Sequence, residues 1–225
     1  MKRIVKGIEP TSLATYRSSI PHTNLENSNI YDDYPHKSKD ECKSGNLDNL
    51  RLKLLDEQGY ICCYCMSRID CNNSKIEHFK PQSKYRKLQI NYSNLFVSCL
   101  GNEGHRSNEQ HCDTKKGEQE LKKIDLLSDI QNNITYIKKH NFIEITSSDS
   151  AIKEDIETLN LNINQLKRNR RELYDSVISK LKTKGFRVSE IKKVLEYYKN
   201  RHNGKYEPYC EVIVYFLTKK LKAIS

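Results

Sequence analysis

Six of the eight cysteines in this 225-residue chain lie between residues 62 and 112, and their spacing restricts the fold more than any hydrophobic pattern does. Cys62-x-x-Cys65 is a turn that presents two thiolates to one ion. Cys99 and Cys112 are the candidates for a second pair, arriving from a distant segment to complete a tetrahedral structural zinc site. Cys63 reads as a packed side chain, because adjacent side chains in an extended turn point apart. His105 and His111, in the segment leading to Cys112, are alternatives to one of the cysteine ligands. Cys42 and Cys210 stand apart and read as ordinary thiols. A disulfide framework belongs to oxidising compartments. The N-terminus, Met1-Lys2-Arg3-Ile4-Val5-Lys6 running into Gly7 and Glu9, has no signal-peptide core, and no stretch approaches the ~20 apolar residues of a membrane span. The expected address is cytoplasmic, with no membrane partner, and metal binding is the leading use of the thiols.

Charge adds a second constraint. The net charge is +10, from 39 Lys and Arg against 29 Asp and Glu, and most of the excess falls in residues 151–225, which carry 17 basic and 9 acidic side chains. That balance favours a polyanionic partner.

The chain divides by pattern into three parts. Residues 1–45 carry Pro10, Pro21 and Pro35 among many Ser, Asn and Asp, without the apolar periodicity of a long helix, and read as an extended arm. Leu47, Leu50, Leu54 and Leu55 recur at helical spacing over residues 46–58, with Gly59 as a stop. Residues 60–80 alternate short β-prone runs around Asn72-Asn73-Ser74, as in a hairpin. A helix over 113–121 and two strands over 134–137 and 142–145 follow. Beyond Ser147-Ser148-Asp149-Ser150 the pattern is helical, with Ile152, Ile156, Leu159, Ile163, Leu166, Leu173, Val177 and Leu181 before Gly185, then helices to residue 199 and from Pro208 to about 221. The expected fold class is α+β: an arm (1–45), a zinc-stabilised module (46–149) and a basic, mainly helical region (150–225).

Between the cysteine pairs lie Ile76-Glu77-His78-Phe79-Lys80-Pro81, then Tyr92-Ser93-Asn94-Leu95-Phe96-Val97-Ser98-Cys99, and finally His111-Cys112-Asp113-Thr114-Lys115-Lys116-Gly117. Here residues 62–117 resemble the HNH endonucleases, whose ββα-metal module runs Cys-x-x-Cys, Asp-His-x-x-Pro, Asn-Leu-x-x-x-Cys, Cys-(His or Asn)-x-x-Lys-Gly. The resemblance implies that His78 is the general base, that Glu77 and Asp113 hold a catalytic Mg²⁺ or Mn²⁺, that Asn94 orients the catalytic strand or His78, and that Lys116 is the family's basic residue. The residue types suit phosphodiester hydrolysis. An imidazole with an unperturbed pKa near ~6.5 takes a proton from water, and oxygen ligands hold a hard divalent Lewis acid. Three departures stand out. Glu77 replaces the usual Asp, Asp113 replaces His or Asn, and twelve residues separate Cys99 from Cys112 where two are typical, which suggests a loop for substrate or partner.

Residues 1–17, with Lys6-Gly7-Ile8-Glu9-Pro10, and a C-terminal set including Leu159-Asn160-Leu161-Asn162 and Asn203-Gly204-Lys205-Tyr206-Glu207-Pro208 are similar to the PtuB family, HNH subunits of Septu and retron-linked anti-phage systems. This resemblance implies a toxic effector that cuts DNA or RNA, leaving a 5′-phosphate. It also implies a PtuA-type ABC/SMC-like ATPase as partner and, in retron-linked systems, a reverse transcriptase with its RNA–DNA product. On this reading the arm wraps a partner. The cluster Lys167-Arg168-Asn169-Arg170-Arg171 then contacts phosphates, faces the ATPase or is simply solvated. A non-catalytic zinc-dependent nucleic-acid-binding module and an adaptor of the ATPase are the competing functions.

Overall fold

A computed structural model describes residues 1–26 and 30–224. Four short helices open the chain: α1 (Thr11–Ser19), α2 (Ile30–Asp33), α3 (Lys39–Lys43) and α4 (Leu50–Glu57). Asn49 caps α4 by accepting from the Leu52 N–H, so the helix starts after Leu47, which is 83% exposed instead of packed. Gly59, at φ +60°, ends this segment where a Cβ would stand 2.5 Å from the Tyr206 ring.

Strand β1 (Ser74–His78) does not fold into a local hairpin over residues 60–80. It pairs antiparallel with β2 (Leu95–Cys99), Ser74 opposite Cys99 and His78 opposite Leu95. The Asn72-Asn73 segment is a side-chain turn instead, in which the Asp70 carboxylate accepts from the N–H groups of Asn72 and Asn73 and launches β1. Helix α5 (Cys112–Lys116) is also shorter than expected, because Gly117 turns the chain at φ +51°. The expected strand pair is present as β3 (Thr135–Lys138) and β4 (Ile143–Thr146), followed by α6 (Ser150–Thr158), α7 (Asn164–Thr183), α8 (Val188–Lys199) and α9 (Cys210–Lys222).

The N-terminal segment is not an extended arm. Met1, Ile4, Leu13, Ile30 and Tyr34 belong to the main buried core, and Ile4 N–H donates to the Leu126 carbonyl. Lys6 reaches the Leu95 carbonyl at 2.6 Å and lies over the Tyr92 and Phe96 rings. Polar side chains hold what lacks helical periodicity: Ser12 N–H donates to Asp48 and Arg17 pairs with Glu9.

Nor does the serine cluster at 147–150 divide the core. Ile152, Ile156, Leu159, Leu161 and Leu166 join the same buried cluster as Leu54, Ile61 and Phe96. A second cluster, Val177, Leu181, Ile191, Leu195, Ile213 and Leu217, is internal to α7, α8 and α9. Among the described residues no helix is long and apolar enough to cross a membrane.

Cys42 is not an ordinary thiol. It forms a disulfide with Cys71, their Cα atoms 5.8 Å apart, joining α3 to the turn before β1. Such a bond belongs to an oxidising environment and would rest open in a reducing cytoplasm. Cys210 is free and buried.

Candidate metal centre and active-site cleft

The four expected sulfurs converge. The ligand atoms of Cys62, Cys65, Cys99 and Cys112 all lie within 4.8 Å of one another, and all four residues are buried. Cys62 and Cys112 are 3.8 Å apart at sulfur, as are Cys65 and Cys99. Zn–S bonds of ~2.3 Å at tetrahedral angles set sulfurs about 3.8 Å apart, so the donor set fits zinc. Met66, at φ +64°, and the Met66 N–H to Cys62 carbonyl bond of 3.0 Å shape the first knuckle. The Ser67 N–H approaches the Cys65 sulfur at 3.5 Å. Cys63 stays a packed thiol, pushed well up by burial. His105 is exposed, whereas His111 is buried with Nδ1 3.1 Å from the Cys112 sulfur. The four cysteines could thus hold one metal ion such as zinc, with His111 beside them.

The twelve-residue connection does not pull Cys99 and Cys112 apart, because it closes on itself. His111 N–H donates to the Gly101 carbonyl at 3.0 Å. Gly101 is required here: at φ +58° a Cβ would stand 2.1 Å from the His111 carbonyl oxygen. Asn102 Nδ2 spans the loop to the Glu109 carbonyl, and Asn160 Nδ2 donates to the carbonyls of Asn108 and Gln110. The Cys112 N–H donates to the Leu159 carbonyl at 2.8 Å. The Leu159-Asn160-Leu161-Asn162 segment therefore braces the thiol site. Its similarity to the PtuB family signalled the segment but not this role.

At the other end of β1, an open polar cleft of about 330 Å³ is lined by Lys75, Glu77, His78, Asp113, Thr114 and Lys116, among others. Glu77 is 2% exposed and accepts from Tyr64 Oη at 2.7 Å and from Lys116 Nζ at 2.6 Å. Burial pushes its carboxyl well up, the adjoining Asp113 pushes the same way, and Lys116 opposes both. Asp113 bonds Lys75 at 3.0 Å. Two carboxyl groups held together with ammonium groups as counter-charges are a donor set suited to a hard divalent cation. Lys116 is 1% exposed and also donates to the His78 carbonyl at 3.1 Å, so it is a buried tie across the site.

His78 Nε2 lies 2.9 Å from the Gln89 carbonyl oxygen, which can only accept. The proton therefore sits on Nε2 and the lone pair on Nδ1. Burial lowers the imidazole to about 4, against the Gln89 bond, so it is neutral near pH 7. Asn94 sits under the following turn, accepting from the Lys80 N–H at 2.7 Å and donating to the carbonyls of Lys80 and Leu88. Tyr64 and Lys75, partners of the two carboxylates, were not singled out in the sequence. Tyr64 lies inside the Cys-x-x-Cys turn, a position that offered a signal.

The basic cluster on α7 is largely committed. Arg170 is 1% exposed and donates to the carbonyls of Leu161 and Ile143. Arg171 holds the carbonyls of Lys139 and His140, and Lys167 lies near Glu144 and over Phe142. Arg168 alone of the four is exposed, so the helix braces the β3–β4 turn instead of presenting a phosphate-binding row.

No family model matches the chain. A Septu protein PtuB of Bacillus thuringiensis is 28% identical to it over 116 residues, covering 50% of this chain and 41% of that protein. The chain is thus PtuB-like in sequence over half its length, and the match spans about two fifths of the relative.

Proposed function

We propose that the chain is a metal-dependent HNH-type endonuclease acting in Septu-type anti-phage defence. The observation that carries this reading is the pairing of a neutral His78, its Nδ1 lone pair left free by the Nε2 bond to Gln89, with the adjoining Glu77 and Asp113 carboxyl groups in one open cleft. The similarity to a Septu protein supports the defence setting.

In the reaction, His78 Nδ1 takes the proton from the attacking water. Gln89 holds the imidazole in the tautomer that permits this, and Asn94 ties down the turn that follows β1. Glu77 and Asp113 are the residues that would hold Mg²⁺ or Mn²⁺, which supplies Lewis-acid stabilisation of charge on the phosphate and the leaving oxygen. Lys116 keeps Glu77 and the end of β1 in place. The product carries a 5′-phosphate. The assembly is with a PtuA-type ATPase, and in a retron-linked system with the reverse transcriptase and its RNA–DNA product, in the cytoplasm. The N-terminal segment is packed on the core, and its exposed Val5 and Ile8 keep an outer surface that the ATPase could engage.

The test is incubation of the purified chain, alone and with its ATPase, with plasmid, single-stranded DNA and total RNA in Mg²⁺ or Mn²⁺. Cleavage by the wild type and none by His78→Ala is expected. Binding without cleavage under every condition replaces the reading with a zinc-dependent binding module.

A further inference from the structure

Arg51 bonds Ser74 and Tyr31 packs on His78, at the two ends of β1, and neither has a part in the chemistry above. Arg51 is the second residue of α4, where the helix dipole disfavours a cation, and it is 9% exposed. It has no carboxylate partner among the described residues. Nη1 donates to the Ser74 carbonyl at 2.8 Å and lies 3.5 Å from Ser74 Oγ, while Nε is buried with no hydrogen-bond partner. A buried guanidinium without an anion is costly, and its planar fork matches a phosphate.

Tyr31 connects Arg51 to the reaction centre. Its ring meets the His78 imidazole edge-on, centroids 4.4 Å apart. Burial pushes the Tyr31 hydroxyl well up, and Arg51 is the cation that pulls against this. That hydroxyl has no hydrogen-bond partner among the described residues, although the Tyr31 N–H is tied to the Gln89 side chain. Arg51 Nε and the Tyr31 hydroxyl are thus two donors without acceptors among the described residues, carried by side chains that touch Ser74 and His78, the two ends of β1.

We propose that Arg51 and Tyr31 form a phosphate-binding subsite that grips the substrate strand at a phosphate flanking the scissile one. The subsite deepens the nuclease reading and rests on it for the identity of the scissile position. Its recognition is of the phosphodiester backbone, common to DNA and RNA.

The test titrates the full chain, in Ca²⁺ so that binding is read without turnover, with fluorescein-labelled DNA and RNA hairpins of one sequence. Arg51→Gln should weaken binding about tenfold and reduce the slope of log affinity against log salt by about one phosphate contact, with zinc content and melting temperature unchanged. Tyr31→Phe should lose about two- to threefold in affinity. In case Arg51→Gln does not fold, single neutral methylphosphonates placed along the preferred hairpin are titrated against the wild type. One position beside the cut should weaken binding about tenfold. A variant that melts lower but keeps the wild-type salt slope marks Arg51 as a brace for Ser74 and overturns the subsite, as does a wild type insensitive to every flanking methylphosphonate. Normal cleavage by Arg51→Gln at unchanged affinity removes the subsite and leaves the nuclease. Arg51-dependent binding without cleavage in Mg²⁺ or Mn²⁺ does the reverse, and binding to neither hairpin removes both.

Discussion

At the Ser74–Cys99 end of the β1–β2 ladder the side chains are sulfur, buried and closed, whereas toward the His78–Leu95 end they are oxygen and nitrogen opening onto a cleft. Helix α5 serves both ends, since Cys112 faces the thiols and its neighbour Asp113 faces Glu77 and Lys75. The difference is one of hardness and water. Four soft thiolates saturate an ion and shut solvent out, as a structural site requires. Two carboxyl groups with ammonium counter-charges are, on the proposed reading, where a hydrated hard cation and a substrate would meet. The β1–β2 pair and α5 thus keep the thiol cluster and the polar cleft apart by donor type.

The most severe way to test that separation is at the sulfur end. Cys65→Ser or Cys99→Ser should give protein without zinc that fails to fold, because structural zinc supplies ~10–16 kcal/mol in small modules. Metal analysis and far-ultraviolet circular dichroism measure this. Cys63→Ser, which removes a buried thiol outside the ligand set, should keep its zinc and lose only about 1–3 kcal/mol. Zinc-free yet well-folded Cys65→Ser protein would break the comparison.

At the cleft end, His78→Ala should lower the cleavage rate by roughly 10²- to 10⁴-fold with zinc content and melting temperature intact. A joint loss of zinc and activity would mean that the two ends are not separable.

Lys116→Met sharpens the electrostatics. The variant leaves the buried Glu77 carboxyl facing Asp113 with one counter-charge fewer, at a cost of about 3 kcal/mol. Millimolar Mg²⁺ should recover part of that loss in thermal melts while changing the wild type less. No recovery would mean that these two carboxyl groups do not take a divalent ion.

The smallest expected effect is that of Asn160→Ala, which frees the carbonyls of Asn108 and Gln110. The stability cost is about 1–2 kcal/mol, together with faster zinc loss to a chelator. Wild-type exchange would show that the insertion needs no external brace.

The thiol set and the β3–β4 pair were readable because local signals specify them: a Cys-x-x-Cys turn, and alternating apolar residues around a polar turn. His78, Asn94 and Lys116 stood out through resemblance, and the structure gives each a definite set of partners. What escaped were contacts between distant segments. The Cys42–Cys71 pairing depends on how α3 meets the turn before β1. The N-terminal segment is anchored by Met1, Ile4 and Leu13 between short helices, so it has too few turns for an apolar stripe to be seen. Arg170 reads from sequence as a phosphate contact, an ATPase-facing charge or a solvated one, because charge in a sequence does not reveal that three-dimensional neighbours offer carbonyls to satisfy it.

The closure of Gly101 onto His111 makes the tip of the intervening loop, residues 103–107, an exchangeable cassette. Its two ends are tied at the thiol site, so a graft at the tip that keeps Asn102, Asn108 and Gln110 would leave the positions of Cys99 and Cys112 and the register of β2 as they are. Nature and the protein engineer can both use such a port. A peptide tag, a fluorophore site or a new recognition element placed there would be displayed from a loop whose ends are tied at the thiol cluster, on the same scaffold as the polar cleft.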